Sequence, residues 1–399
     1  RDRVYSSAMG KTVWLVGLVG SLVLGVALPG LALRTPPLSG SCFSRGIGIG
    51  ELNQRHPPAI LPQREETWLA WSDLKDMTLT LSFTSVDADG RVREPEVFPL
   101  PFVYSGQPLF LECAGQPWLA FLARPAPEAP RSLYALPLNP TGEPSGPLLL
   151  LTPEGGPEVR AYQAVATPEA IWVAWLDVAG EAWLSRWSPE GEPHPPWRLG
   201  HSMASPAVAA WGSTVHVSWP SGANPTLYSL TYVQATQGGI SSPLELVSFP
   251  LPTGVIPAPL VISLEKEWVY CAVGFEYRSG TLAGEAEVWV CAFPFGHPAE
   301  SSTYQLKLPG QFPAEYPLET EGLLLAPLSS AIRPTDLYNP RGVPGGGDMA
   351  LLSCGARLYR RRKAQVQPVL VAFQDGVPFA WTPIAKTRAF SYFTELRAS

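Results

Sequence analysis

The sequence has little of what most site chemistry needs. Its five cysteines, Cys42, Cys113, Cys271, Cys291 and Cys354, form no Cys-x-x-Cys pair, so zinc ribbons and attached c-type haem are unsupported. The five histidines are scattered, and the nearest two, His194 and His201, sit in a Pro-rich stretch. A metal site asks for more convergence than that. Charged residues make up only 16% of the chain and the net charge is −6, a balance that argues against a general nucleic-acid binder. Gly46-Ile47-Gly48-Ile49-Gly50 is Gly-rich but opens no helix, so it is not a phosphate loop. No catalytic constellation, cofactor site or metal site is found, and on that ground the chain reads as a non-enzyme.

What is abundant is proline, at 45 residues, with 36 glycines. Both suit many turns between short strands and argue against a helical protein. Among the turns a four-residue motif recurs. Trp68-Leu69-Ala70-Trp71 is followed by Trp118-Leu119-Ala120-Phe121 and Trp172-Val173-Ala174-Trp175. Weaker echoes are His216-Val217-Ser218-Trp219, Trp268-Val269-Tyr270-Cys271 and Leu370-Val371-Ala372-Phe373. The motif starts are 50, 54, 44 and 52 residues apart, then 102, twice the unit. A period near 50 carried by β-type segments points to a β-propeller.

The motif suits a blade. Large side chains on both alternating faces describe a strand buried on both sides. Trp68 and Ala70 point one way, Leu69 and Trp71 the other, and the small third residue lets neighbouring sheets approach. Turns follow 15 to 20 residues later: Asp87-Ala88-Asp89-Gly90, Asn139-Pro140-Thr141-Gly142, Ser188-Pro189-Glu190-Gly191 and Thr236-Gln237-Gly238-Gly239. Glycine supplies positive φ there, and Asp, Asn and Pro preset the remaining angles. The fold expected is all-β: a propeller of seven, alternatively six, four-stranded blades over residues 56–399.

The N-terminus is different. Arg1, Arg3 and Lys11 precede 22 uncharged residues, 12–33. As a helix these span about 33 Å, enough for the hydrocarbon core. The positive flank places residues 1–11 in the cytoplasm and the propeller outside. The segment reads as a retained anchor, or as a signal peptide cut near Gly30-Leu31-Ala32. In the anchor, Gly17, Ser21 and Gly25 fall four apart, a small-residue face for packing on another membrane helix. Residues 34–55 are a linker.

Several residues invite a functional role. The loop Arg333–Asp348, with Asp336, Tyr338 and Arg341, suits a partner-binding arm or a plain long loop. Arg357-Leu358-Tyr359-Arg360-Arg361-Arg362-Lys363 is the one strong basic cluster. Its Arg360, Arg361 and Arg362 suit an acidic partner or a guarded strand edge. Asp73, Asp177 and Asp375 each lie two residues past a motif, and would ring the channel mouth or simply start turns. Asp87 and Asp89 resemble part of a calcium loop whose other ligands are missing. Cys271 and Cys291 should lie on adjacent strands, as a disulfide or as two buried thiols.

The repeats resemble those of bacterial extracytoplasmic β-propeller proteins, sialidase-like or related. Ser85-Val86-Asp87-Ala88-Asp89-Gly90 begins like the Asp box of such repeats but lacks its Thr-Trp. The resemblance implies the architecture and no catalytic residue. The expected function is a membrane-anchored propeller that docks on membrane-protein partners as an accessory subunit. The alternative is a secreted or periplasmic enzyme or lectin acting on carbohydrate; an exposed tryptophan on the channel face is the discriminating feature of the lectin.

Overall fold

The computed structural model describes residues 58–75, 78–87, 89–224, 227–250, 255–257, 261–265, 267–277, 286–306, 324–325, 342–345, 349–360 and 363–383. Residues 1–57 lie outside these, and with them the 12–33 segment, Gly17, Ser21 and Gly25. Among the described residues no helix is long and apolar enough to cross a membrane.

The described residues form strands in five sheets, joined by turns and one short 3-10 helix, Pro298–Glu300. The first contains β1 (Ala59–Pro62), β2 (Glu66–Lys75), β3 (Thr78–Asp87) and β4 (Glu96–Val97), then β5 (Tyr104–Cys113), β6 (Gln116–Arg124), β7 (Ser132–Pro137) and β8 (Leu149–Leu150). A single parallel bridge, Leu79–Tyr104, joins β3 to β5. The second sheet holds β9 (Val159–Thr167), β10 (Ala170–Asp177), β11 (Glu181–Trp187) and β12 (Trp197–His201). In the third, β13 (Ala207–Trp211) pairs β14 (Thr214–Asn224), which pairs β15 (Leu227–Thr236). The strands β16 (Gly239–Ile240) and β17 (Leu244–Pro250) share its outer edge. In the fourth, β18 (Val255–Pro257) and β19 (Val261–Glu265) share one edge of β20 (Trp268–Tyr277), followed by β21 (Ala286–Pro294) and β22 (Ser302–Leu306). The fifth sets β23 (Leu324–Leu325) and β24 (Gly342–Gly345) against β25 (Met349–Arg360), then β26 (Lys363–Gln374) and β27 (Val377–Pro383).

The leading strands touch in succession: β1 against β5, β5 against β9, β9 against β13, β13 against β19 and β19 against β24. Meander sheets gathered on their first strands and stacked face to face are the blades of a β-propeller. The apolar cores lie between them. Trp172 and Ala174 of β10 pack with Val215, Val217 and Trp219 of β14. Ile171, Val173 and Trp175 of β10 pack the other way, with Trp118, Ala120 and Leu122 of β6. Every side chain of β10 is buried. The same parity holds one step earlier, where Trp68 and Ala70 meet Leu119, Phe121 and Ala123. The first and third motif residues thus face the following meander, and the second and fourth face the preceding one.

The motif occupies the second strand of its meander in β2, β6, β10 and β14, and likewise in β20. The echo Leu370–Phe373 does not: it lies on β26, the third strand counted from β24. Three of the four repeated turns share one construction. Asp87, Asn139 and Ser188 each accept at the side chain the N–H four residues on, from Arg91, Glu143 and Glu192 at 2.8, 2.9 and 3.2 Å. The glycine three residues on donates to the same residue's carbonyl, at 3.0, 3.0 and 2.9 Å. Each glycine has φ between 80° and 87°.

Candidate functional site

An aromatic patch forms where the third and fourth sheets meet. β13 ends at Trp211, and the Gly212-Ser213 turn sends the chain back along β14. Trp211 is therefore the last side chain of a leading strand, only partly covered by the neighbouring sheet, and stays 46% exposed. Phe295 comes from the fourth sheet, just past β21. Its N–H donates to the carbonyl of Glu267 at 2.7 Å. The Phe295 ring lies 5.8 Å from Trp211, tilted, and stacks on His216 at 5.1 Å.

Behind the patch the chemistry is dry. His216 is buried, and its Nδ1 meets the Tyr232 hydroxyl at 2.6 Å. Burial lowers the His216 pKa to about 4 and raises that of Tyr232. Imidazole and phenol are then both neutral at ordinary pH. A phenol hydroxyl donating to Nδ1 would leave the imidazole proton on Nε2. His297 and Glu300, exposed and paired at 3.3 Å, lie just beyond Phe295. The patch offers an apolar aromatic face with polar groups at its rim.

A second polar grouping joins the first sheet to the second at the opposite end of the strands. Glu158, ahead of β9, accepts at Oε1 from Arg131 at 2.6 Å and from Arg124 at 3.3 Å. Arg124 also donates to the Pro127 carbonyl at 2.9 Å and stands 5.8 Å from the Tyr104 ring centroid. These bonds tie three chain segments together, so the grouping reads as a clamp between meanders.

The sequence candidates fare unevenly. The acidic ring does not form. Asp177 is buried at the far end of β10, where its carboxylate accepts from the Glu181 N–H at 2.9 Å and from the Trp183 indole at 3.1 Å. Asp73 likewise lies past the motif of β2. Asp375, in contrast, sits in a turn whose Gly376 donates to the Tyr270 hydroxyl at 3.0 Å, beside the start of β20. That is the opposite end of the sheets. Asp87 serves its turn, accepting from the N–H groups of Asp89 and Arg91. Arg360 closes the β25–β26 hairpin opposite Lys363. Arg361, Arg362, Asp336, Tyr338 and Arg341 lie outside the described residues. Among the described residues no three His, Cys, Asp or Glu side chains converge as metal ligands.

Trp211 and Phe295 are absent from the sequence candidates. The available signal was a tryptophan outside the motif and immediately before a Gly-Ser turn, at the end of its strand.

No protein-family model matches the sequence, and no curated protein does. Solved structures share the fold at low identity. A prolyl endopeptidase is 12% identical with a TM-score of 0.42, over 80% of this chain and 46% of that one. A Trypanosoma rangeli sialidase mutant is 9% identical with a TM-score of 0.40, over 84% and 54%. The Penicillium chrysogenum α-L-arabinanase is 11% identical with a TM-score of 0.41, over 80% and 88%. This chain spans about half the length of the first two. The matches correct the expectation of a non-enzyme. All three are named as enzymes. At such identity the likeness concerns the fold alone.

Proposed function

We propose that this chain is a carbohydrate-active propeller that engages a glycan at the Trp211–Phe295 patch. One observation carries the reading: Trp211 is 46% exposed at the end of a leading strand, whereas Trp68, Trp71, Trp172, Trp175 and Trp219 are each at most 2% exposed. An indole held open to water presents a large flat apolar face beside a polar N–H. The face of a sugar ring, apolar in the middle and polar at the rim, is complementary to it. Carbohydrate is also what the names of the sialidase and arabinanase imply for those proteins, though the reading rests on Trp211.

The ring we propose has six blades, two from the first sheet and one from each of the others. An extracytoplasmic location, set by residues 12–33, belongs to the same proposal. We favour it over the accessory-subunit role because Trp211 is the exposed feature a glycan ligand requires.

The test is retention on a panel of immobilised polysaccharides, arabinan and sialylated glycans included, with released products followed in parallel. Trp211→Ala is expected to weaken binding about tenfold, the size of one aromatic stacking contact, with an unchanged melting temperature. Equal binding by wild type and variant, or no retention on any polysaccharide, would overturn the reading.

A further inference from the structure

Cys271 and Cys291 face each other across two neighbouring strands. β20 and β21 pair without a break from Trp268–Pro294 to Glu276–Ala286, and in that register Cys271 stands directly opposite Cys291. Opposed residues of an antiparallel pair share a face of the sheet, with Cα atoms about 4.5–5.5 Å apart. That lies inside the range of roughly 4.4–6.8 Å that a disulfide spans. Both side chains enter the same apolar core against β15, at 0% and 2% exposure, and both are free thiols. Cys113 differs: it lies in another core, opposite Gln116, and its thiol contacts the Thr167 carbonyl.

We propose that Cys271 and Cys291 are a cross-strand disulfide site, closed when the chain folds in an oxidising compartment. The oxidant is a disulfide, on a protein or a small molecule. One cysteine thiolate attacks it, forming a mixed disulfide and expelling one thiolate of the oxidant. The second cysteine thiolate then attacks the chain's own sulfur and expels the other. The two cysteines give up two protons and two electrons, and the oxidant leaves as two thiols.

The folded core sets the timing. Burial raises both thiols above their ordinary pKa, and the thiolate is the reacting form. The exchange therefore belongs to folding, before β20 and β21 are covered by the third sheet. Once made, the bond is shielded from reductants by the same core.

The full chain, reduced and unfolded, would be refolded in a mixture of oxidised and reduced glutathione, alkylated, digested and mapped by mass spectrometry. The expected product is a peptide pair joined through Cys271 and Cys291, lighter than the dithiol by two hydrogens. The link should survive reductant added to the native protein and yield once denaturant is present. If refolding fails, the same mapping applies to the full chain secreted into an oxidising compartment. Alkylated thiols at both positions in the folded protein would overturn the proposal. So would a link from either residue to Cys42, Cys113 or Cys354, or a cross-link at Cys291 that persists in Cys271→Ala.

Discussion

The hydroxyl of Tyr232 meets Nδ1 of His216 at 2.6 Å in the core between the third and fourth sheets. Burial there holds the histidine neutral, since its charged form would find no water. Such a group binds a proton more readily unfolded than folded, so stability falls as protons are added.

The pH dependence follows from that sign. The His216 pKa is depressed from 6.5 to about 4. Its contribution is complete above pH 6.5 and is lost as the pH falls toward 4. The full loss is about 3 kcal/mol, from roughly 1.4 kcal/mol per pKa unit. Chemical denaturation at pH 7 and pH 4 should show this slope in the wild type and a flatter one in His216→Gln. Parallel slopes would mean that another group controls acid stability.

The small third motif residue predicts a steric limit. Ala174 is fully buried and faces β14. Ala174→Leu should cost about 1–3 kcal/mol, since a packed interior resists added methylenes. A melting curve unshifted from wild type would show slack between the second and third sheets.

Two turn glycines should respond differently to the same change. Gly90 and Gly142 both have φ near +80°. A Cβ at Gly90 meets nothing within 4 Å, whereas at Gly142 it comes within 2.5 Å of the Phe83 ring. Gly90→Ala should cost about 1–2 kcal/mol from backbone strain alone. Gly142→Ala should cost more, because Phe83 must move as well. Equal costs in urea denaturation would contradict the contact.

Asp177 gives a fourth case. It is buried and its carboxylate holds both the Glu181 N–H and the Trp183 indole. Asp177→Ala leaves those donors without partners and should destabilise by about 1–3 kcal/mol. Activity or binding lost from a variant of unchanged stability would restore a functional role to this residue.

The propeller was legible because its signal is local. Alternation in Trp172–Trp175 reports burial on both faces, and Asp87, Asn139 and Ser188 mark turns by their own side chains. The failures are non-local. Asp375 follows its motif echo by the same two residues as Asp177. Its strand holds a different place in the sheet, so the spacing put it at the wrong end. The placing of Cys271 and Cys291 on adjacent strands was legible, and their direct facing is given by the register across the hairpin. Trp211 was marked only by its place outside the motif and before a turn, because exposure itself is set by what does not pack on a residue.

The parity of the motif strands bears on how such a chain changes over generations. One residue added within β10 would turn Trp172 and Ala174 toward the wrong neighbour and reverse both interfaces together. A residue added in a turn disturbs neither. Motif starts accordingly vary in separation, at 50, 54, 44 and 52 residues, while the strands between them keep their phase. Heritable variation in length is channelled to the rims of the blades, the region where Trp211 lies, so surfaces there can diverge while the stacked sheets stay as they are.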